Sequence, residues 1–154
     1  MVDPVPQGAR TVTPHLVIEG AADAIAFYEK AFGATEHFRL PSPDGKVMHA
    51  VLTIGDSMVF VADAMPDMGS EGPKAHGGTS VALHLYVDDA DAWAERAEKA
   101  GATVTMPVED MFWGDRYGRL EDPFGHVWAV ATHVKDLTPE EIGEAAKAAF
   151  GGGS

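Results

Sequence analysis

The amino-acid sequence predicts an α+β fold: two tandem β-α-β-β-β modules forming a curved mixed sheet around a pocket, with a short C-terminal helix. Two observations carry that expectation. First, the chain says nearly the same thing twice. His15 aligns with His84, Leu16 with Leu85, Glu29-Lys30-Ala31 with Glu98-Lys99-Ala100 and, after skipping Phe32, Gly33-Ala34-Thr35 with Gly101-Ala102-Thr103. A separation of about 69 residues is too long for a solenoid unit and implies two copies of one module in one compact body. Second, within each copy the apolar period switches from strand to helix spacing and back.

The elements follow in order. Residues 15–18 are a short β-prone run. Over 20–32 the spacing becomes helical, with Ala21, Ala24, Ile25, Tyr28 and Phe32 on one face and Gly33 as the stop. Residues 35–40 alternate, 41–45 form a proline-glycine turn, and 46–54 return as the second arm of a hairpin. Gly55-Asp56 turns the chain into 57–62. The stretch 63–79 has glycines, prolines and no period, and reads as a linker. Residues 81–87 repeat the first strand. Asp88 or Asp89 can cap a helix whose buried stripe is Ala90, Trp93, Ala94 and Ala97, ended by Gly101. A strand over 102–106, a loop over 107–115, and strands over 116–121 and 126–133 around Asp122-Pro-Phe-Gly125 complete the second module. Thr138-Pro-Glu-Glu141 is a capping box opening a last helix to about residue 150, with Ile142, Ala145, Ala146 and Ala149 as its apolar positions. The organisation expected is an N-terminal arm (1–11), a first module (12–63), a linker (64–79), a second module (80–134), and a C-terminal helix with a flexible tail (135–154).

Composition narrows the function classes. Of 154 residues, 45% are hydrophobic, so a packed core is expected. The net charge of −13 repels phosphate backbones and anionic lipid heads, which argues against nucleic-acid and membrane partners. The absence of cysteine removes disulfides, thiolate metal sites and a cysteine nucleophile, and is compatible with a reducing compartment; a cytoplasmic location is expected. No apolar run approaches the ~20 residues of a membrane span, and the first ten residues lack the apolar core of a signal peptide.

Three stretches carry a resemblance: TPHLVIEGAADAIAFYEKAFGA (13–34), LHLYVDDADAWAERAEKAGATV (83–104) and FWGDRYGRLEDPFGHVWAVATH (112–133). They resemble the vicinal-oxygen-chelate superfamily of glyoxalases, bleomycin-resistance proteins and extradiol dioxygenases. The W-G-D-R-Y-G run is similar to its PhnB-like branch. The resemblance implies that each module offers two inward ligands to one divalent ion, one on its first strand and one, usually glutamate, on its last. The first-strand positions are His15 and His84, good ligands for Zn, Ni, Fe or Mn. The last-strand positions correspond to Ala129, four residues past Gly125, and by alignment of Gly55 with Gly125 to Val59. Both acids are missing, and two neutral imidazoles leave the ion's charge uncompensated. No tightly bound metal is therefore expected.

If the modules pair about a pseudo-twofold axis, His15 and His84 converge on one place. There they either hydrogen-bond in a pocket wall, bind or orient a ligand, or hold a metal with substitute acids. His49 points into the pocket or to solvent. Phe112, Trp113 and Tyr117, with Arg116, form either a family-typical turn or a pocket rim whose aromatics stack on a planar ligand while Arg116 holds an anionic or carbonyl group. His37 and His76 are read as surface residues and His126 as part of a turn. Two functions follow: a small-molecule-binding protein of the bleomycin-resistance type without tightly bound metal, or a metal-dependent lyase, isomerase or dioxygenase using His15 and His84. A small-molecule ligand and a homodimer are the partners expected.

Overall fold

A computed structural model describes residues 1–151; the last three residues of the expected flexible tail lie outside the described residues. Strand β1 (His15–Ile18) leads into helix α1 (Ala21–Phe32), then β2 (Thr35–Pro41), β3 (Val47–Ile54) and β4 (Ser57–Asp63). After two short 3₁₀ turns at Pro66–Met68 and Pro73–His76, the order repeats as β5 (Ala82–Tyr86), α2 (Ala90–Ala100), β6 (Thr103–Asp110), β7 (Asp115–Glu121) and β8 (Val127–His133), with α3 (Pro139–Phe150) last. The strands form two four-stranded mixed sheets, ordered β1-β4-β3-β2 and β5-β8-β7-β6, rather than one continuous curved sheet. The fold class read from the repeat is the one observed.

Local chemistry explains the boundaries. Gly33 ends α1 at φ 67°, a left-handed conformation that costs glycine little; its N–H donates to the Glu29 carbonyl and the Ala34 N–H to the Tyr28 carbonyl. Asp89 caps α2 by accepting from the Ala92 N–H. The Thr138–Glu141 capping box is present with both reciprocal bonds. One expected loop is strand instead: β6 continues through Pro107 to Asp110. It lies at the sheet edge, where a missing N–H is tolerated, and two register shifts between Val104 and Glu109 accommodate it.

Each sheet turns one face to the helices. Leu16, Ile18, Ala50, Leu52, Ile54, Val59 and Val61 from the first sheet join Leu120, Trp128 and Val130 from the second in a single core. That core is shared. Phe32 of α1 stacks on Trp93 of α2 (6.2 Å between ring centroids) and lies 4.6 Å from Trp128 of β8. Arg96 of α2 donates to the Lys30 carbonyl (2.7 Å), closing the C-terminus of α1. Trp93, expected to be buried, is half-buried.

A buried carboxylate joins the modules. Asp122, 4% exposed, accepts from the Tyr28 hydroxyl of α1 (2.6 Å), from Trp128 Nε1 (2.9 Å), and from the N–H groups of Phe124 and His126. Burial, then the Asp122 charge, pushes the Tyr28 hydroxyl well above its ordinary pKa, so it remains the donor. Tyr28→Phe removes one of four donors, and should lower the unfolding free energy by about 1–3 kcal/mol in urea denaturation. Asp122→Ala leaves all four donors unpaired and should cost more than Tyr28→Phe. Equal costs for the two variants would mean that Asp122 is not the junction described.

Candidate functional site

Strand alternation assigns the other face of each sheet. In the first, His15, His49 and Phe60 meet: the His15 and His49 ring centroids are 5.9 Å apart, and His49 lies 4.8 Å from Phe60. His37 reaches the same face through its bond to Thr53 Oγ1 (2.9 Å). Partial burial, then the neighbouring His49, holds the His15 pKa below the usual imidazole value, which favours its neutral form. Phe38 and Leu40, on the edge strand, are 51% and 44% exposed, an apolar margin open to solvent.

In the second sheet the open face is aromatic. His84 lies 4.8 Å from Tyr86 and is stacked at 5.7 Å on Tyr117; Tyr117 in turn meets the Trp113 ring at 5.5 Å. Phe112 follows at 5.0 Å from Trp113, and Phe150 of α3 at 5.4 Å from Phe112. Two small residues make this possible. Ala129 pairs with His84 and Ala131 with Tyr86 and Tyr117, and both alanines are almost fully covered, at 1% and 0% exposure.

The platform is anchored by Asp115 on the same face, 2% exposed. Its carboxylate accepts from Tyr86 Oη (2.8 Å) and Trp113 Nε1 (3.1 Å), and its other oxygen faces His133 Nδ1 (2.8 Å). His133 Nε2 meets Asp136 (2.7 Å) on the segment leading to α3. Desolvation opposes ionisation of Asp115, but the bonds from His133, Tyr86 and Trp113 outweigh it and hold the carboxyl below its usual range. The bond to Asp115, then that to Asp136, raises the His133 pKa. Sequence reasoning missed this network. A polar residue at a loop's end gives no sign of burial until strands cover it.

Three expectations need correction. His15 and His84 occupy matching places on β1 and β5 but line different cavities. His84 lines one of about 270 Å³ with Ser57, Met58, Arg10 and Val12 to Pro14. His15 lines another of about 420 Å³ with His126, Glu71 and Thr79. Each histidine faces the other module: His84 lies by Ser57 at the β3–β4 turn, and His15 by His126 at the β7–β8 turn.

The residue beside His15 on β4 is Phe60, not Val59, which faces the helix in the core. Ala129 does stand beside His84. Phenylalanine and alanine bring no anionic ligand, and among the described residues no group of three or more His, Asp or Glu could hold a metal ion. The residues present therefore do not fit the metal that the resemblance implies.

Arg116 lies on the helix side of β7, away from the platform. It bonds both oxygens of Asp91 in α2 (2.9 Å each) and Asp110 on β6 (3.0 Å). The rest of the W-G-D-R-Y-G run also has structural reasons. Gly114, at φ 100°, accepts from the N–H groups of Val134 and Lys135, and a Cβ there would stand 2.5 Å from the Lys135 carbonyl oxygen. A Cβ on Gly118 would meet Val108 at 2.7 Å.

Comparison with known proteins agrees with this architecture. The Glyoxalase/Bleomycin resistance protein/Dioxygenase superfamily model matches residues 11–130, and the chain belongs to that superfamily. The uncharacterised protein Rv0887c of Mycobacterium tuberculosis is 48% identical over 145 residues, covering 92% of this chain and 85% of its own. Among solved structures, the Arabidopsis thaliana At5g48480 product superposes with a TM-score of 0.66 at 30% identity, covering 79% of this chain and 98% of its own. TioX from Micromonospora sp. ML1 gives 0.63 at 25%, covering 84% and 100%.

The charges around Asp115 set a pH dependence. His133 should titrate above the ordinary 6.5, so its contribution to stability is complete below that pH and is lost as pH rises through the raised value. Asp115 acts in the opposite sense: its contribution is present above 3.8 and is lost as pH falls through its lowered value. An NMR titration of the His133 ring checks this, and a midpoint at or below 6.5 would contradict the bridge.

Proposed function

We propose that this chain is a small-molecule-binding protein of the glyoxalase/bleomycin-resistance type that holds a planar, partly aromatic ligand and needs no tightly bound metal. The observation that carries the reading is the aromatic platform on the open face of the second sheet, made by His84, Tyr86, Tyr117 and Trp113. The polar tips of Tyr86 and Trp113 are pinned by a buried carboxylate, so those two rings are ordered before a ligand arrives. Rings edge-on and stacked within 6 Å offer a planar molecule both dispersion contacts and quadrupole complementarity. His84 adds a hydrogen-bonding nitrogen within that surface, and Phe112 continues its margin. His15 and His49 supply a second, imidazole-bearing face on the first sheet.

The proposal extends to a cytoplasmic homodimer. It takes residues 12–63 as the first module and 80–134 as the second, and it assigns the chain to the PhnB-like branch. Phe38, Leu40, Tyr86 and Met106 are exposed on open faces or edge strands of the two sheets, apolar surface of the sort a second copy covers. A second reading, a metal-dependent lyase, isomerase or dioxygenase, keeps one supporting observation: His15 and His84 hold equivalent positions beside the last strand of each module.

Tryptophan fluorescence of the full chain, titrated with planar aromatic compounds, tests the platform. Binding should quench emission, and Trp113→Ala should weaken it by about 1–3 kcal/mol, the cost of losing an aromatic anchor. Trp128, buried in the core, should report little. Unchanged fluorescence and melting temperature across a broad aromatic panel would rule the reading out. A large thermal shift with zinc or nickel, abolished in His84→Ala, would favour the metal-dependent enzyme.

A further inference from the structure

Of the five arginines, four are engaged within the chain. Arg39 pairs with Glu36, Arg96 closes α1, Arg116 holds Asp91 and Asp110, and Arg10 bonds the neighbouring Ala9 carbonyl. Arg119 makes no hydrogen bond or ion pair among the described residues. It pairs in register with Ala129, which pairs on its other side with His84. Tyr117, two residues earlier on β7, is one of the platform rings. Because β7 runs against β8 without a register shift from Asp115 to Glu121, Arg119 and Tyr117 share a face.

Arg119 and His84 therefore flank Ala129, on strands two spacings apart, roughly 10 Å between backbones. A half-buried guanidinium with no carboxylate partner, in a chain of net charge −13, is an unusual allocation of positive charge. Glu109, opposite Tyr117 on β6, and Glu121, two residues along β7, share that face, yet neither forms an ion pair with Arg119. A planar fork at the end of a ring array matches a planar ligand ending in a carboxylate.

We propose that Arg119 selects the charge of the ligand: the platform takes planar aromatic molecules bearing a carboxylate or comparable anionic group, with the rings on Tyr117 and His84 and the anion on the guanidinium. This rests on the platform reading above. The helix-side Arg116, fully engaged on the opposite face, has no part in it.

The test uses three probes of similar shape: 2-naphthoate, 2-naphthamide and 2-naphthylmethylamine, titrated into the full-length protein by calorimetry and tryptophan fluorescence. 2-Naphthoate should bind about tenfold or more tighter than 2-naphthamide, with the ammonium probe weakest, and its advantage should shrink as salt rises. Arg119→Gln should abolish the preference while leaving 2-naphthamide affinity unchanged. Arg119→Lys should retain part of it, since it keeps the charge but loses the fork. Arg116→Gln should leave the preference intact. Equal binding of acid and amide by the natural protein, or an undiminished preference in Arg119→Gln, overturns the assignment but spares the platform. Failure of all three probes to bind removes platform and assignment together.

Discussion

One buried carboxylate sits where the two modules meet, and much of the architecture follows from satisfying it. Leaving Asp122 ionised and unpaired in the interior would cost several kcal/mol. Its four donors come from α1, from β8 and from the turn between β7 and β8. Their convergence sets three things at once: the depth at which α1 sits, the rotamer of Trp128, and the shape of the Asp122–Gly125 turn. The Tyr28 and Phe32 rings then pack on Trp128 at 5.3 and 4.6 Å, so the polar pin and the apolar core enforce one geometry. The same turn presents His126, whose Nε2 reaches the Val17 carbonyl (3.1 Å) on the open edge of β1. That contact and the linker at Gly72, packed against the same edge, cover backbone groups that no strand pairs.

The internal repeat shows which positions are held by packing and which are free. Asp63, at the end of β4, accepts from the Gly20 and Ala21 N–H groups and so caps α1. Thr132, its counterpart on β8, accepts from the Ala90 N–H and caps α2. The chemistry differs, the task is the same, and the helix dipole is answered both times. On the open faces nothing similar holds. Phe60 in one module answers Ala129 in the other. The bulky residue fills its own face, whereas the small one lets His84 and Tyr117 close over it.

How much was legible in the sequence depended on whether the signal was local. The repeat, the helix stops at Gly33 and Gly101, the capping box and the matched histidines were read directly, since each depends on spacing or on a residue's own backbone preference. The errors came from strand parity. Aligning Gly55 with Gly125 ignored the longer turn between β7 and β8. The resulting one-residue slip named Val59 where Phe60 stands, and one residue is enough to exchange core for open face. Arg116 was misplaced for a related reason: β7 begins at Asp115, and only its register with β8 tells which of the alternating residues looks toward α2. Asp115 itself had no local signature, because its burial comes from partners spread from Tyr86 to His133.

This division has a physical consequence for specificity. A substitution on the helix side of either sheet disturbs a core that both modules share, where rings are locked against one another and, among the described residues, every buried side-chain polar atom has a partner. A substitution on the open side disturbs only its neighbours on that face. The open faces can therefore diverge independently of the fold and of each other. The two modules show it within one chain: histidines, Phe60 and aliphatic side chains on the first, stacked rings with an unpaired cation on the second. The repeat presents two equivalent surfaces on one frame held by the Asp122 junction, and each carries its own chemistry.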